Sequence, residues 1–512
     1  MVKIEKERIQ KTLESVMRLL TLLPQEGMED RIQILTKCQE AVISVGEKLE
    51  GMTKKVDQEA IMQYGIIHEL EEFCEGVFLA SQPECLEEEE AFVRKLVSMK
   101  ALLTNVIVEL NQIPRTYRVV FLPYKAAMWD SLESVWKAFA KDEYCETVVL
   151  PVPYFEMNRK DQQWDTRYDG NDFPKDVPVV SFEEYFLEDM RPDLAFTHNP
   201  FDEHNNVTMI HPAFHSQELK KHCGKVVYIP YYFNSGYISE DYLYLPLLER
   251  VDYIIVQSDK AKESTRSMPY YERCIPLGSP KCDKLVSMMK EAIEPPKEWG
   301  MDFHGKKSLL LNTTITDFLV HGEKLLKKLR LFFQKVASME DIVLVWRPHP
   351  LLEGTIKAMR PQLWDGYQEL LAFFKENQVG VFDTTPDISR AVVVTDGYVG
   401  SAYSSVVDLY QVSGKPAFLF RSDCIFDISQ KPDRTADSAF QAFRYLETMH
   451  YYAAYEDWNY LFEDFVEDLI HDRLGEVKAQ QMIYEEGHLN NMDGTAGEKI
   501  YEFLKKELAQ ET

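Results

Sequence analysis

No CxxC pair joins any of the eight cysteines; Cys38, Cys74, Cys85, Cys145, Cys223, Cys274, Cys282 and Cys424 stand singly. A zinc ribbon or a disulfide framework is therefore not expected, and most of these side chains should be buried thiols. No run of about 18 apolar residues occurs, so no membrane-spanning helix is expected. The opening Met-Val-Lys-Ile-Glu-Lys-Glu-Arg has no apolar stretch with a cleavage site, which predicts a cytoplasmic protein. Glycine (22) and proline (24) are sparse in 512 residues, against an ordinary combined share of about 12%, which argues against collagen-like or low-complexity sequence. Positive charge is also short: 57 Lys and Arg face 84 Asp and Glu, a formal charge of −27. Such a chain repels a polyphosphate backbone, so nucleic acid is not an expected partner. Broad electrostatic attachment to anionic lipid is disfavoured for the same reason, and any peripheral contact at the inner face of the membrane should be local or through a partner. A mononucleotide or small anion needs only a few well-placed donors and is not excluded.

What is present is an ordinary globular mixture, 45% hydrophobic and 28% charged, long enough for about three domains. From Ile4 to Gln112 apolar residues recur every three or four positions, as in Leu13, Val16, Leu19, Leu20 and Leu23. This predicts about four antiparallel helices, broken near Pro24 to Gly27, Gly51 and Ser81-Gln82-Pro83. Such a stripe reads first as core, and otherwise as a docking or dimerisation module, with which a homo-oligomer is compatible. Short apolar runs then alternate with helical stretches, at Val119 to Leu122, Thr147 to Val152, Leu194 to Thr197, Val226 to Pro230 and Tyr253 to Val256, with a helix over Met128 to Phe139. A second series falls at Ser308 to Asn312, Ile342 to Trp346, Val379 to Phe382, Ala391 to Thr395 and Ala417 to Phe420. The expected fold is α/β, two Rossmann-like doubly wound lobes preceded by an N-terminal α-helical domain. The expected divisions are 1–112 helical, 113–293 first lobe on the acceptor side, 301–430 second lobe on the donor side, and 431–512 C-terminal helices, one of which could return to the first lobe. Glu294-Pro295-Pro296 to Gly300 reads as the linker.

In open α/β sheets ligands bind beyond the carboxyl ends of the strands, so residues after each apolar run are the candidates. Arg347-Pro348-His349-Pro350 places a guanidinium and an imidazole on a proline-fixed turn, where Arg347 could grip phosphate and His349 could donate to it or exchange a proton. A structural turn is the competing reading. Gly400-Ser401-Ala402-Tyr403-Ser404-Ser405 opens a helix over Val406 to Val412, offering N–H groups and hydroxyls to an anion; the simpler role of Ser404 or Ser405 is a helix cap. The segment is not a GxxxxGK[ST] loop. Gly278-Ser279-Pro280-Lys281 and Asn312-Thr313-Thr314 with Asp317 are further candidates. In the first lobe the polar loop from His198 to Thr208, followed by His211, suggests an acceptor or catalytic loop, with His198 or His211 as general base or as a satisfied structural histidine. His198 and Asp202 have the spacing of a metal pair, but no second well-spaced cluster accompanies them and no metal is expected.

Val120-Phe121-Leu122-Pro123-Tyr124-Lys125, Gly278-Ser279-Pro280-Lys281 with Asp283, Arg347-Pro348-His349-Pro350, and Tyr403-Ser404-Ser405 with Asp408 and Gly414-Lys415-Pro416 together resemble the CDP-glycerol glycerophosphotransferase family over roughly 117–425. The resemblance implies the two-Rossmann GT-B fold and transfer of glycerol phosphate, or a similar polyol phosphate, from a CDP-linked donor to a hydroxyl of a polyol-phosphate or glycan acceptor in teichoic-acid or other cell-envelope synthesis. Family acceptors are lipid-linked, and no cofactor beyond the donor is required. It also implies His349 beside the donor pyrophosphate, Ser404, Ser405 and Asp408 lining the CDP pocket, and Gly278 to Lys281 at its edge. The family's base lies in a His-Gly-Thr segment where this chain has Tyr231 to Gly236, which leaves that role to His198 or His211; the family's Asp-Tyr-Ser-Ser reads Ala402-Tyr403-Ser404-Ser405 here. The alternatives are a GT-B glycosyltransferase with a nucleotide-sugar donor and a non-catalytic nucleotide-binding scaffold.

Overall fold

The computed structural model describes residues 1–158, 163–205, 208–232, 240–291, 293–301, 303, 305–385, 387–401, 404–420, 452–454, 458–473 and 489–510. Ala402, Tyr403, Cys424, Asn206 with Val207, most of Tyr231 to Gly236 and the 430/431 division lie outside them.

The first 112 residues form four long helices, Lys3–Leu22, Met28–Glu50, Ile66–Ala80 and Glu89–Gln112, with short connectors Lys55–Tyr64 and Pro83–Glu87. Each long helix buries one stripe, for example Ile9, Leu13, Val16 and Leu20, in a common core with Leu35, Phe73, Phe92 and Leu103. Six helices therefore stand where about four are expected; the extra two are short connectors. Arg118 ties this bundle to the first lobe, its guanidinium 2.6 Å from Glu5 and 2.9 Å from Glu146.

The first lobe is a parallel sheet of β1 (Tyr117–Leu122), β2 (Cys145–Val149), β5 (Leu194–Thr197), β7 (Lys225–Tyr228), β8 (Tyr253–Val256) and β9 (Cys274–Pro276), in the order β2-β1-β5-β7-β8-β9. All six residues of β1 are buried, as a strand covered on both faces requires. β3 (Tyr154–Asn158), β4 (Gln163–Arg167) and β6 (Thr208–Ile210) make a separate antiparallel sheet. That sheet and β9 are not visible as apolar runs. The helix expected over Met128 to Phe139 divides into a 3₁₀ segment, Ala126–Ser131, and an α-helix, Glu133–Ala140.

In the second lobe β10 (Lys307–Thr313), β11 (Ile342–Pro348), β12 (Gly380–Phe382), β13 (Gly397–Gly400), β14 (Ala417–Phe420) and β15 (Tyr452–Ala454) lie in the order β12-β11-β10-β13-β14-β15, all parallel. This is the order of a dinucleotide-fold sheet, reversing between β10 and β13. One strand expectation fails: Ala391 to Val394 belong to a helix, Ile388–Val394, with Thr395 at its C-cap, and the strand follows as β13. Asp387 caps that helix by accepting from the Ser389 and Arg390 N–H groups, and Lys415 Nζ donates to the carbonyls of Val392, Val393 and Thr395 at its end. With both ends satisfied, the strand preference of three valines is overridden. The chain is thus α/β with two Rossmann-like lobes of the GT-B kind.

Helix Pro280–Lys290 joins the lobes. Leu285 enters the second lobe's core with Trp299, Leu310, Tyr398 and Tyr410, while Lys284 Nζ lies 3.2 Å from Asp387. Asp283 in the same helix accepts the N–H groups of Ala496 and Gly497 at 3.0 and 2.7 Å. It thereby caps the last helix, Ala496–Gln510, whose Ile500, Leu504 and Leu508 pack on Tyr117, Val119, Phe121 and Phe139 of the first lobe. No described helix is long and apolar enough to cross a membrane.

Candidate functional site

The second lobe places three strand ends side by side. Asn312 on β10 is in register with Arg347 on β11 and with Gly400 on β13, so the β10/β13 reversal opens directly among the residues singled out by sequence.

Two helices start there. Thr314 caps Ile315–Ala337, its Oγ1 accepting from the Asp317 N–H at 3.2 Å and donating to Asp317 Oδ2 at 2.6 Å. Ser404 caps Ser405–Ser413, its Oγ accepting from the Val406 N–H at 3.2 Å and donating to Asn312 Oδ1 at 2.7 Å. Two helix N-termini, each carrying the positive end of a peptide dipole, therefore open at the sheet's switch point. Ser405 is exposed on the first turn, while Asp408 is buried one turn on. A Cβ at Gly400 would lie 2.5 Å from the Asn312 carbonyl oxygen, so only glycine lets the chain pass the end of β10.

His349 follows β11 on an exposed turn. Its N–H donates to the Thr313 carbonyl at 3.0 Å, and its Nδ1 accepts from the Leu351 N–H at 3.2 Å. An acceptor at Nδ1 puts the ring proton on Nε2, and partial desolvation of the ring by its neighbours, although the turn is open to solvent, holds the imidazole pKa below its ordinary value. His349 is therefore a neutral donor, suited to an anionic oxygen more than to taking up a proton.

Arg347, expected to grip phosphate, faces the other way. Its Nη1 pairs with Asp383 and donates to Thr385 Oγ1 at 3.2 Å, and Nη2 donates to the Thr385 carbonyl at 2.6 Å. The side chain is buried as an internal counter-ion. Asp383 holds its charge: burial would raise its pKa, but the Arg347 guanidinium and the donors from Thr385 and Trp299 outweigh this and hold it low. Asp383 and Thr385 are the site-supporting residues that sequence reasoning missed. The available signal was an acid directly after an apolar run, Val381-Phe382-Asp383.

Asn312 and Thr313 support the site from within. Asn312 Nδ2 donates to the Arg347 carbonyl at 3.0 Å, and Thr313 Oγ1 accepts from Trp346 Nε1 at 3.3 Å. Ser401 is buried, its Oγ 3.4 Å from Asp317. The Gly278 to Lys281 turn opens the joining helix, which packs on Ser405–Ser413 and brings Cys282 within range of the Asp408 charge. Lys281 Nζ is held by both Asp130 oxygens at 2.7 and 2.8 Å, and buried Ser279 precedes Pro280 without a side-chain cap. A Cβ at Gly278 would meet the Asn490 carbonyl oxygen at 2.1 Å, so this glycine, at φ 90°, lies beneath the segment leading to the last helix.

Of the two first-lobe histidines considered as base, His198 is already committed within its own lobe. His198 is fully buried; Nε2 accepts from the Tyr124 N–H at 3.1 Å. Ser131 Oγ donates to the Met128 carbonyl and so accepts from His198 Nδ1–H at 2.9 Å. With both nitrogens used, and burial and the nearby Lys281 charge lowering its pKa to about 3, it is a neutral structural histidine. Asp202, which stands at metal-pair spacing from it, accepts from the Ser216 N–H and Oγ and pairs with Arg250. His211 is part-exposed on the small antiparallel sheet, its Nδ1 accepting from the Ala213 N–H at 3.3 Å.

No protein-family model matches the chain, and no curated protein does. Solved structures similar to it include a UDP-N-acetylglucosamine 2-epimerase (13% identity, TM-score 0.48, 76% of this chain and 96% of that one). A UDP-GlcNAc 2-epimerase from Neisseria meningitidis bound to UDP-GlcNAc is similar over 76% of this chain and 100% of that one (14%, 0.45). The wall teichoic acid polymerase TagF, as a variant soaked with CDPG, is similar over 77% of this chain and 89% of that one (15%, 0.45). Likeness this distant says nothing of activity; the two-lobe fold stands on the sheet orders themselves.

Proposed function

We propose that the chain is a nucleotide-dependent transferase whose donor pyrophosphate binds at the β10/β13 reversal, and that the donor is a CDP-linked polyol such as CDP-glycerol. The observation that carries this reading is the meeting of two hydroxyl-capped helix N-termini beside a histidine whose Nε2 is left as a donor. Such an arrangement offers neutral and dipolar donors to a diphosphate without requiring a metal. The motif resemblance supports CDP-glycerol over a nucleotide-sugar.

In the proposed reaction the acceptor hydroxyl oxygen bonds to the donor's β-phosphorus as the bond from that phosphorus to the α–β bridging oxygen breaks. CMP leaves with the electron pair, and the acceptor's proton passes to a base or to water. His349 Nε2–H and the helix N-termini would stabilise charge on the diphosphate. The acceptor, a polyol phosphate or glycan carried on a lipid, would approach from the first lobe. His198 is withdrawn as base by its burial.

Calorimetric titration of the protein with CDP-glycerol, CMP, UDP and UDP-sugars tests the reading. Tightest binding of CDP-glycerol or CMP, weakened by His349→Ala without loss of folding, is expected. Preference for UDP-sugars would favour a glycosyltransferase, and no nucleotide binding would sink the reading.

A further inference from the structure

Asp383 lies at a junction that no sequence motif announces. It is 1% exposed and directs its carboxylate two ways. Oδ2 takes Arg347 Nη1. Oδ1 accepts from Trp299 Nε1 at 3.0 Å and from the Thr385 N–H and Oγ1 at 2.9 and 2.7 Å. Trp299 belongs to the segment between the lobes, in the 3₁₀ turn Lys297–Trp299, and is itself buried.

The bonds continue beyond Arg347. Its carbonyl accepts from Asn312 Nδ2 at 3.0 Å; Asn312 Oδ1 accepts from Ser404 Oγ at 2.7 Å; and Ser404 Oγ accepts from the Val406 N–H at the start of Ser405–Ser413. A series of buried or part-buried hydrogen bonds, joined through the covalent frame of Arg347 from its guanidinium to its carbonyl, thus runs from the inter-lobe segment to the helix N-terminus at the switch point.

We infer that Asp383 is a positioning residue that couples the inter-lobe segment at Trp299 to the helix start at the switch point, so that the seating of that segment and the readiness of the phosphate site are set together. The physical reason is the cost of breaking this series inside the protein. Releasing Trp299 takes one of three donors from Asp383 Oδ1 and leaves the buried indole N–H without its acceptor, and Arg347 cannot turn to Oδ1 without leaving Thr385. The segment around Trp299 is therefore held to the second lobe. For its function this inference rests on the nucleotide reading; the coupling itself does not.

The full-length protein would be compared with Trp299→Phe, which keeps the ring and removes only the donor, with Asp383→Asn, and with the double variant. Titration with CDP and UDP should show affinity falling about threefold for Trp299→Phe and about tenfold for Asp383→Asn, with the double variant no weaker than Asp383→Asn. Backbone hydrogen exchange without nucleotide should quicken in Trp299→Phe at Ser404 to Leu409 and not in Leu325 to Val336. Unchanged affinity and unchanged exchange at Ser404 to Leu409 overturn the coupling, as does faster exchange spread over both segments. If the wild-type protein binds no nucleotide, the nucleotide reading falls, and the exchange measurement still decides the coupling. If Asp383→Asn does not fold, Trp299→Phe decides it alone.

Discussion

Ser404 Oγ donates to Asn312 Oδ1 across 2.7 Å while capping its own helix. One hydroxyl thus serves the strand end and the helix start together. Ser404→Ala should lose about 1–2 kcal/mol of stability through the missing cap, seen as a lower denaturant midpoint, and should weaken CDP binding as well. Ser404→Thr, which retains the hydroxyl, should recover most of both. A stability loss with unaltered CDP affinity would show that the cap is structural only.

His198 gives the protein an acid-side weakness. Its folded pKa is about 3, against about 6.5 in an unfolded chain. As pH falls below about 6.5 the unfolded chain takes up a proton that the folded one refuses, so this contribution is full above that pH and drains away toward pH 3. The slope should reach at most ~1.4 kcal/mol per pH unit. Urea unfolding at successive pH values should show the slope reduced in His198→Gln; identical slopes would mean that carboxylates alone govern acid unfolding.

Lys281 should behave as a structural cation. Lys281→Ala leaves Asp130 buried without its partner and should destabilise by roughly 3–5 kcal/mol. Pairing Asp130→Asn with Lys281→Met should recover a large part of that in thermal unfolding. Loss of nucleotide binding at undiminished stability would return Lys281 to the donor site.

Gly278→Ala would place a Cβ 2.1 Å from the Asn490 oxygen at a φ of 90°. A cost of about 2–4 kcal/mol is expected. Limited proteolysis should show earlier cleavage between Leu489 and Thr495, ahead of the last helix; an unaltered cleavage pattern would mean that the chain shifts there without strain.

Most strands of both parallel sheets were legible because burial on both faces leaves continuous apolar runs, as in β1 and β10; β9 and β13 were not read as strands, and β15 lies where only C-terminal helices were expected. Ala391 to Thr395 misled for the same reason: three valines look like a strand unless the cap at Asp387 and the reach of Lys415 are known. In the candidate site the polar strand ends could be read, but their directions could not. Arg347 looked like a phosphate ligand because Asp383, which claims it, lies 36 residues away in sequence. His198 looked available because the Tyr124 amide and the Ser131 hydroxyl that enclose it arrive from another strand end. Sequence shows which groups gather at an edge; the fold decides which are already spoken for.

The last helix has a bearing on how the chain is made. Ile500, Leu504 and Leu508 complete a core whose other members begin at Tyr117, so the first lobe leaves the ribosome long before its final wall exists. Until then Val119, Phe121 and Phe139 lack part of their cover, and the second lobe must emerge before the gap can close. Synthesis that stalls after the second lobe should therefore yield a chain with a finished second lobe and an unfinished first lobe, a form suited to chaperone capture rather than to independent use.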